Sequence, residues 1–174
     1  MYIKWITWGL LGLLFMFAFL RPPPGGLQLD ILAPQFSAKL QNETEFRLED
    51  HRGQVVVLDF WATWCPPCRR SLPALSKLVD LYKTDTEVWI GTVNSERISK
   101  ASLKKWMKKM RVEFPVIRDQ TNVISRLYNV SSLPTLIIIN KQGKIHQVQV
   151  GLTSSHPPTL VKHITRQIED ARSK

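Results

Sequence analysis

The sequence predicts an α/β domain in which a central mixed β-sheet carries helices on both faces. Three observations predict it. Val55 to Phe60 is a nearly continuous apolar run, as in a strand buried on both sides of a sheet. The segments after it read strand, helix, strand, helix, and then a hairpin and a final helix. With 174 residues, 44% of them hydrophobic, the chain has material for one ordinary domain and not for two.

Before the central strand, residues 32–48 contain Ala33-Pro34-Gln35-Phe36 and Glu45-Phe46-Arg47-Leu48, the second alternating as a half-buried strand does. Asp50-His51-Arg52-Gly53 supplies a turn. After the strand, Leu72, Leu75, Leu78, Val79 and Tyr82 recur at helical spacing. The helix would carry Pro66 or Pro67 in its first turn, where a missing N–H does no harm, and Pro73 is expected to kink it. Glu87 to Val93 reads as a second buried strand and Ser95 to Met110 as a second helix with the apolar stripe Leu103, Trp106, Met107 and Met110. Phe114 to Asp119 is extended, and Asn122 to Tyr128 suits a short helix. Leu133 to Asn140 and Ile145 to Val150 form an antiparallel hairpin about a turn at Lys141-Gln142-Gly143-Lys144. The second arm alternates and the first does not, which puts the second nearer the edge of the sheet. Pro157-Pro158 start the last helix, whose core stripe is Leu160, Val161, Ile164 and Ile168.

The first 21 residues differ in kind. From Trp5 to Leu20 no charge interrupts the apolar run, and Lys4 and Arg21 flank it. About sixteen helical residues span roughly 24 Å, a little short of the roughly 30 Å hydrocarbon core, and Tyr2, Ile3 and the tryptophans extend it to the interface. Ala18-Phe19-Leu20-Arg21-Pro22 offers no small-residue cleavage site, which favours an uncleaved anchor over a signal peptide. The expected organisation is an anchor at 1–21, a linker at 22–31 built on Pro22-Pro23-Pro24-Gly25-Gly26, and a domain at 32–174. The charge bias places the N-terminus in the cytoplasm and the domain outside it, in a bacterial cell the periplasmic side.

The formal net charge of +10 fits nucleic acid, an anionic membrane surface or a soluble basic domain. Its densest patch is Lys100, Lys104, Lys105, Lys108 and Lys109, read as the solvated face of an amphipathic helix. No exposed aromatics interleave with these lysines, so nucleic acid is not an expected partner.

Cys65 and Cys68 are the only cysteines, separated by Pro66-Pro67 at the junction of the central strand and its helix. A cysteine at a helix N-terminus gains from free backbone N–H groups and the positive end of the macrodipole. Cys65 is therefore the expected exposed nucleophile, which attacks a substrate disulfide, and Cys68 the resolving thiol. A zinc half-site would need two more ligands, and His51, His146, His156 and His163 show no ligand spacing. No metal or other cofactor is expected, and the histidines are read as structural or surface groups.

Phe60-Trp61-Ala62-Thr63-Trp64-Cys65-Pro66-Pro67-Cys68-Arg69, together with Leu133-Pro134-Thr135, resembles the thioredoxin superfamily, and more closely its membrane-anchored extracytoplasmic branch, the TlpA/ResA-like thiol-disulfide reductases that include cytochrome c maturation proteins. The resemblance covers about residues 32–172. Ala33-Pro34-Gln35-Phe36, Phe114-Pro115-Val116 and the turn at Lys141 to Lys144 also fit. It implies a thioredoxin-like fold, a cis Pro134 beside Cys65, and a Leu133 backbone free to pair with a substrate strand. It makes Trp64, Pro66 and Pro67 substrate-facing as well. It further implies that Asp59 is the buried acid that accepts the proton of the resolving cysteine, with a pKa raised by desolvation. One departure stands out. Many ResA-like relatives carry a glutamate three positions after the second cysteine, where this chain has Ser71, so the work assigned to that glutamate does not transfer.

The function this supports is a membrane-tethered thiol-disulfide oxidoreductase, acting as a monomer, that reduces disulfides of extracytoplasmic proteins and draws electrons from a membrane thiol transporter. An oxidase or isomerase uses the same chemistry, with the direction set by the reduction potential. A non-catalytic chaperone or metal-delivery module is the alternative of a different class. The intact dithiol argues against the first and the lack of a nearby His or Met ligand set against the second.

Overall fold

The computed structural model describes residues 27–174. The predicted anchor at 5–20 lies outside the described residues, and among those described no helix is long and apolar enough to cross a membrane. The elements in chain order are β1 (Ser37–Lys39), β2 (Glu45–Arg47), a short 3-10 turn (Leu48–His51), β3 (Val55–Trp61), α1 (Pro66–Tyr82), β4 (Val88–Asn94), α2 (Lys100–Met110), β5 (Val116–Arg118), α3 (Val123–Leu127), β6 (Thr135–Ile139), β7 (Ile145–Val150) and α4 (Pro157–Arg172).

The main sheet runs β5-β4-β3-β6-β7, with β3, β4 and β5 parallel and β6 and β7 antiparallel to their neighbours. It is the mixed sheet the sequence predicts, with β3 at its centre. All seven β3 residues are buried, and the apolar ones each contribute roughly 1.5–3 kcal/mol. Their alternation divides the core. Val55, Val57 and Trp61 pack with α1, α2 and α4 on one face, and Val56, Leu58 and Phe60 with α3 and the β1–β2 hairpin on the other. The hairpin is a separate two-stranded sheet; only its second arm carries the alternation that sequence reading detects.

One element differs from expectation. The helix expected from Ser95 begins at Lys100, because Ser99 caps it with Oγ on the N–H of Ser102 while Glu96 turns back toward the preceding strand. Pro73 lies inside α1, which runs on to Tyr82. The first described residues run along the β7 edge. Asp30 donates to Ile145 O and Ile145 donates to Ile31 O, so these two residues of the expected linker already pair with the sheet.

Candidate active site

β3 ends at Trp61, and α1 begins at Pro66 after four intervening residues. Cys65 is its N-cap, in extended conformation, and its sulfur accepts from the Cys68 N–H at 3.3 Å. Pro66 and Pro67 fill the first two helical positions, where no N–H is needed. One turn of helix carries Cys68 back over Cys65, with Cα atoms 5.3 Å apart, and the two form a disulfide. Cys68 is fully buried. Cys65 is 2% exposed, so the expectation of an exposed nucleophile does not hold in this oxidised state; beside it Trp64, at 65%, and Pro66 are exposed.

Glu96 was not singled out in the sequence, and it fixes the loop before the cysteines. Its carboxylate accepts from the Thr63 N–H at 2.7 Å, from Thr63 Oγ1 at 2.9 Å and from Asn94 Nδ2 at 3.0 Å. No spacing rule links residues 63 and 96; the parallel register that ends with Trp61 beside Asn94 brings them together.

The Leu133–Pro134 bond is cis. Pro134 is buried and Leu133 half-buried at the start of β6, which pairs antiparallel with β3. The Pro134 carbonyl accepts from Gly151 N–H at 2.8 Å and Thr135 Oγ1 donates to Ser132 O at 2.7 Å, which ties this loop to the end of β7. Pro66 is exposed and Pro67 half-buried.

Asp59 sits two residues before Trp61, so the strand's period of two points it to the same side of the sheet as Trp61, Cys65 and Cys68. It is 5% exposed, and its Oδ2 has no hydrogen-bond partner. Burial alone raises its pKa from near 3.8 to about 8. Asp59 lines a cavity of about 20 Å³ with Ser71, Pro134, Gly151 and Leu160, enough for one water. Ser71 is buried there, and its hydroxyl donates to Cys68 O at 3.0 Å. Asp59, Ser71 and Pro134, remote in sequence, thus share one small, mostly apolar pocket.

The four histidines take structural places. His51 stacks on Phe46 at 4.8 Å, while His146, His156 and His163 bond to Asp170, Thr159 and Gln149. Among the described residues no three His, Cys, Asp or Glu side chains cluster to hold a metal.

A helix-capping dithiol next to a cis-proline on a mixed α/β sheet is the constellation of thioredoxin-like thiol-disulfide oxidoreductases, and the comparisons agree. The model of the AhpC/TSA family matches residues 31–148. The thiol-disulfide oxidoreductase ResA of Geobacillus kaustophilus is 37% identical over 120 residues, covering 68% of this chain and 67% of its own. The sporulation thiol-disulfide oxidoreductase A of Bacillus subtilis is 29% identical over 148 residues, 82% of this chain and 85% of the relative. A crystal structure from Chlorobium tepidum, described as a thiol:disulfide interchange protein DsbE, superposes with a TM-score of 0.72 at 31% identity over 84% of this chain and 99% of that one. The chain belongs to the AhpC/TSA family, among its ResA-like thiol-disulfide oxidoreductases.

Proposed function

We propose that the protein is a membrane-tethered reductase of disulfides in extracytoplasmic proteins, with Cys65 as nucleophile, Cys68 as resolving thiol and Asp59 as their proton exchanger. The observation that carries this is the Cys65–Cys68 disulfide capping α1 on the face of the sheet that holds the neutral Asp59. In the reduced enzyme the Cys65 thiolate attacks one sulfur of a substrate disulfide. A mixed disulfide forms and one substrate thiolate leaves. Asp59 in its carboxylate form, the minor form just below a pKa of about 8, takes the Cys68 proton, and the Cys68 thiolate attacks the Cys65 sulfur, releasing the second substrate thiolate and leaving the disulfide with Asp59 protonated. Two electrons have passed from the dithiol to the substrate. In reverse, as a donor opens the enzyme disulfide, the proton that Asp59 holds at neutral pH goes to the departing Cys68 sulfur.

Trp64, Pro66 and Pro67 rim the dithiol, and the Leu133 backbone before the cis-proline offers a pairing edge to an extended substrate strand. The apolar run at residues 5–20 supports the tether, with 22–26 as spacer and the domain from there to 174. A thiol transporter in the same membrane is the electron donor such a reductase requires, and clients among the apocytochromes c are one class its resemblance suggests.

The test is insulin-disulfide reduction by the full chain and its two serine variants. Cys65→Ser should abolish turnover, and Cys68→Ser should accumulate a mixed disulfide sensitive to thiols. Unchanged turnover in Cys65→Ser would overturn the assignment. A reduction potential of the Cys65–Cys68 couple close to about −120 mV, as in strong oxidants, would reverse the direction.

A further inference from the structure

The dithiol end of the domain exposes apolar and basic side chains beyond the substrate-facing Trp64, Pro66 and Pro67. Of the large apolar side chains left exposed, four lie on the elements at this end: Trp64 at 65%, Val123 at 55%, Leu127 at 43% and Val150 at 65%. Trp64 is in the motif itself. Val123 and Leu127 are on α3, tied to the end of β4 by the Ser125–Ser95 hydroxyl bond of 2.8 Å. Val150 is the last residue of β7, beside Gly151, which bonds to Pro134.

On the first turns of α1, the loop after β4 and α3 are exposed Arg69, Arg70, Arg97 and Arg126, none of which forms an ion pair among the described residues. The acids near these loops are all engaged. Glu96 holds Thr63 and Asn94. Asp119, 3% exposed, accepts from the N–H groups of Ile124 and Ser125 and from the Ser125 hydroxyl. Exposed Glu43 is paired with Lys100 at the start of α2. The unpaired outward charge is therefore of one sign.

The tether enters at the same end. Leu27 shares a cavity of about 180 Å³ with Ser131, Ser132, Thr135 and Val150, the residues around Leu133–Pro134, and the chain then runs away from the dithiol to Ile145 and Gly143. Only residues 22–26 separate Leu27 from Arg21, which bounds the gap between them at about 20 Å.

We infer that the loops around the dithiol are a docking surface for an anionic bilayer, with Trp64, Val123, Leu127 and Val150 at the headgroup boundary and the four arginines on the lipid phosphates. This rests on the tether reading of residues 5–20. An aromatic and aliphatic rim with unpaired arginines is the composition of an interfacial anchor. A lipid surface, and not an acidic protein, is the occupant because the short tether delivers this end to the bilayer. The client class follows: disulfides held close to the membrane surface meet the dithiol directly, while soluble clients compete with lipid for the same face.

The test uses the full chain with Cys65→Ser and Cys68→Ser, reconstituted in phosphatidylcholine vesicles with or without phosphatidylglycerol. A nitroxide is placed at Val123→Cys, or at Gln142→Cys on the opposite end of the domain. Expected is a Val123→Cys label at headgroup depth in anionic vesicles and a Gln142→Cys label in water. Arg97→Gln with Arg126→Gln should shift the docked equilibrium about 25-fold toward water, at roughly fivefold per arginine. About 1 M salt, with a Debye length near 3 Å, should do the same. Hydrogen exchange on the oxidised wild-type chain in the same vesicles is the second readout, with protection by phosphatidylglycerol expected at residues 62–65, 95–99 and 119–132. Equal water exposure of both labels on vesicle-bound chain, with no such protection, overturns the docking surface and leaves the tether standing. A chain that does not sediment with vesicles overturns the tether as well. A Val123→Cys label immobilised by polyglutamate but not by lipid assigns the face to an acidic protein and overturns the proposal.

Discussion

Replacing Asp59 by Asn should stabilise the oxidised protein, and by an amount that grows with pH. Asp59 is desolvated on β3 with a pKa raised to about 8, against an ordinary value near 3.8. The unfolded chain releases this proton as pH rises through the ordinary value, and the folded chain keeps it until about pH 8. Between those limits the folded state binds more protons than the unfolded state, so stability falls as pH rises. At about 1.36 kcal/mol per pH unit, keeping the carboxyl protonated at pH 7 costs on the order of 4 kcal/mol. Below pH 4 the cost vanishes, and above pH 8 it levels off because the folded carboxyl ionises too. Asn has nearly the same shape and does not titrate, so its own packing and hydrogen bonding add a difference that is constant with pH. Urea unfolding of the oxidised full chain and of Asp59→Asn, from pH 4 to 9, should give curves close together at pH 4 that diverge by about 4 kcal/mol by pH 7. For a domain of about 150 residues that is a gap in Tm of roughly 10 °C. Parallel curves would refute the reasoning, because they would mean that Asp59 ionises in the folded state at its ordinary pH.

Glu96→Ala removes three hydrogen bonds to a carboxylate and leaves the Thr63 N–H without its partner, so it should cost about 2–3 kcal/mol in urea unfolding. It should also speed amide exchange at residues 62–65 ahead of the rest of β3. Ser71→Glu puts a longer side chain and a second carboxyl into the 20 Å³ cavity beside Asp59. It should destabilise by roughly 1–3 kcal/mol from overpacking alone, with a further loss that increases with pH as the two carboxyls compete for ionisation. Unfolding measured at pH 5 and pH 8 separates the two contributions.

What the sequence made legible was local or strongly periodic. The continuous apolar run at Val55 to Phe60, the helical recurrence after Pro67 and the unequal arms of the final hairpin each report burial directly, and they predicted the mixed sheet and the edge position of β7. Cys65 at the start of α1 was legible because helix capping is a local rule. The cis bond before Pro134 and the burial of Asp59 came through resemblance, since neither follows from neighbouring residues. Glu96 was not legible at all. Its role depends on β3 and β4 ending side by side, and register between strands separated by a helix leaves no mark in spacing. The β1 arm was missed for a simpler reason: three residues with one half-buried side chain carry too little alternation to detect. The low exposure of Cys65 was also hidden, because motif position says which thiol comes first and not how deeply the closed disulfide sits.

Ser71 sharpens what this chain asks of Asp59. In a ResA-like site with a glutamate at that position, two carboxyls can divide the proton traffic of two sulfurs. Here one carboxyl faces a hydroxyl that already donates to Cys68 O, so Ser71 cannot take a proton near neutral pH and its own is committed. On the proposed mechanism, acid-base chemistry falls to Asp59, whose pKa of about 8 keeps it protonated in the oxidised state across the neutral range, and that proton would serve the Cys68 sulfur at each reductive opening. The rate of that opening by a thiol donor should therefore fall as pH rises through about 8, beyond any change due to the donor's own ionisation. In Asp59→Asn that fall should be absent and the rate lower throughout.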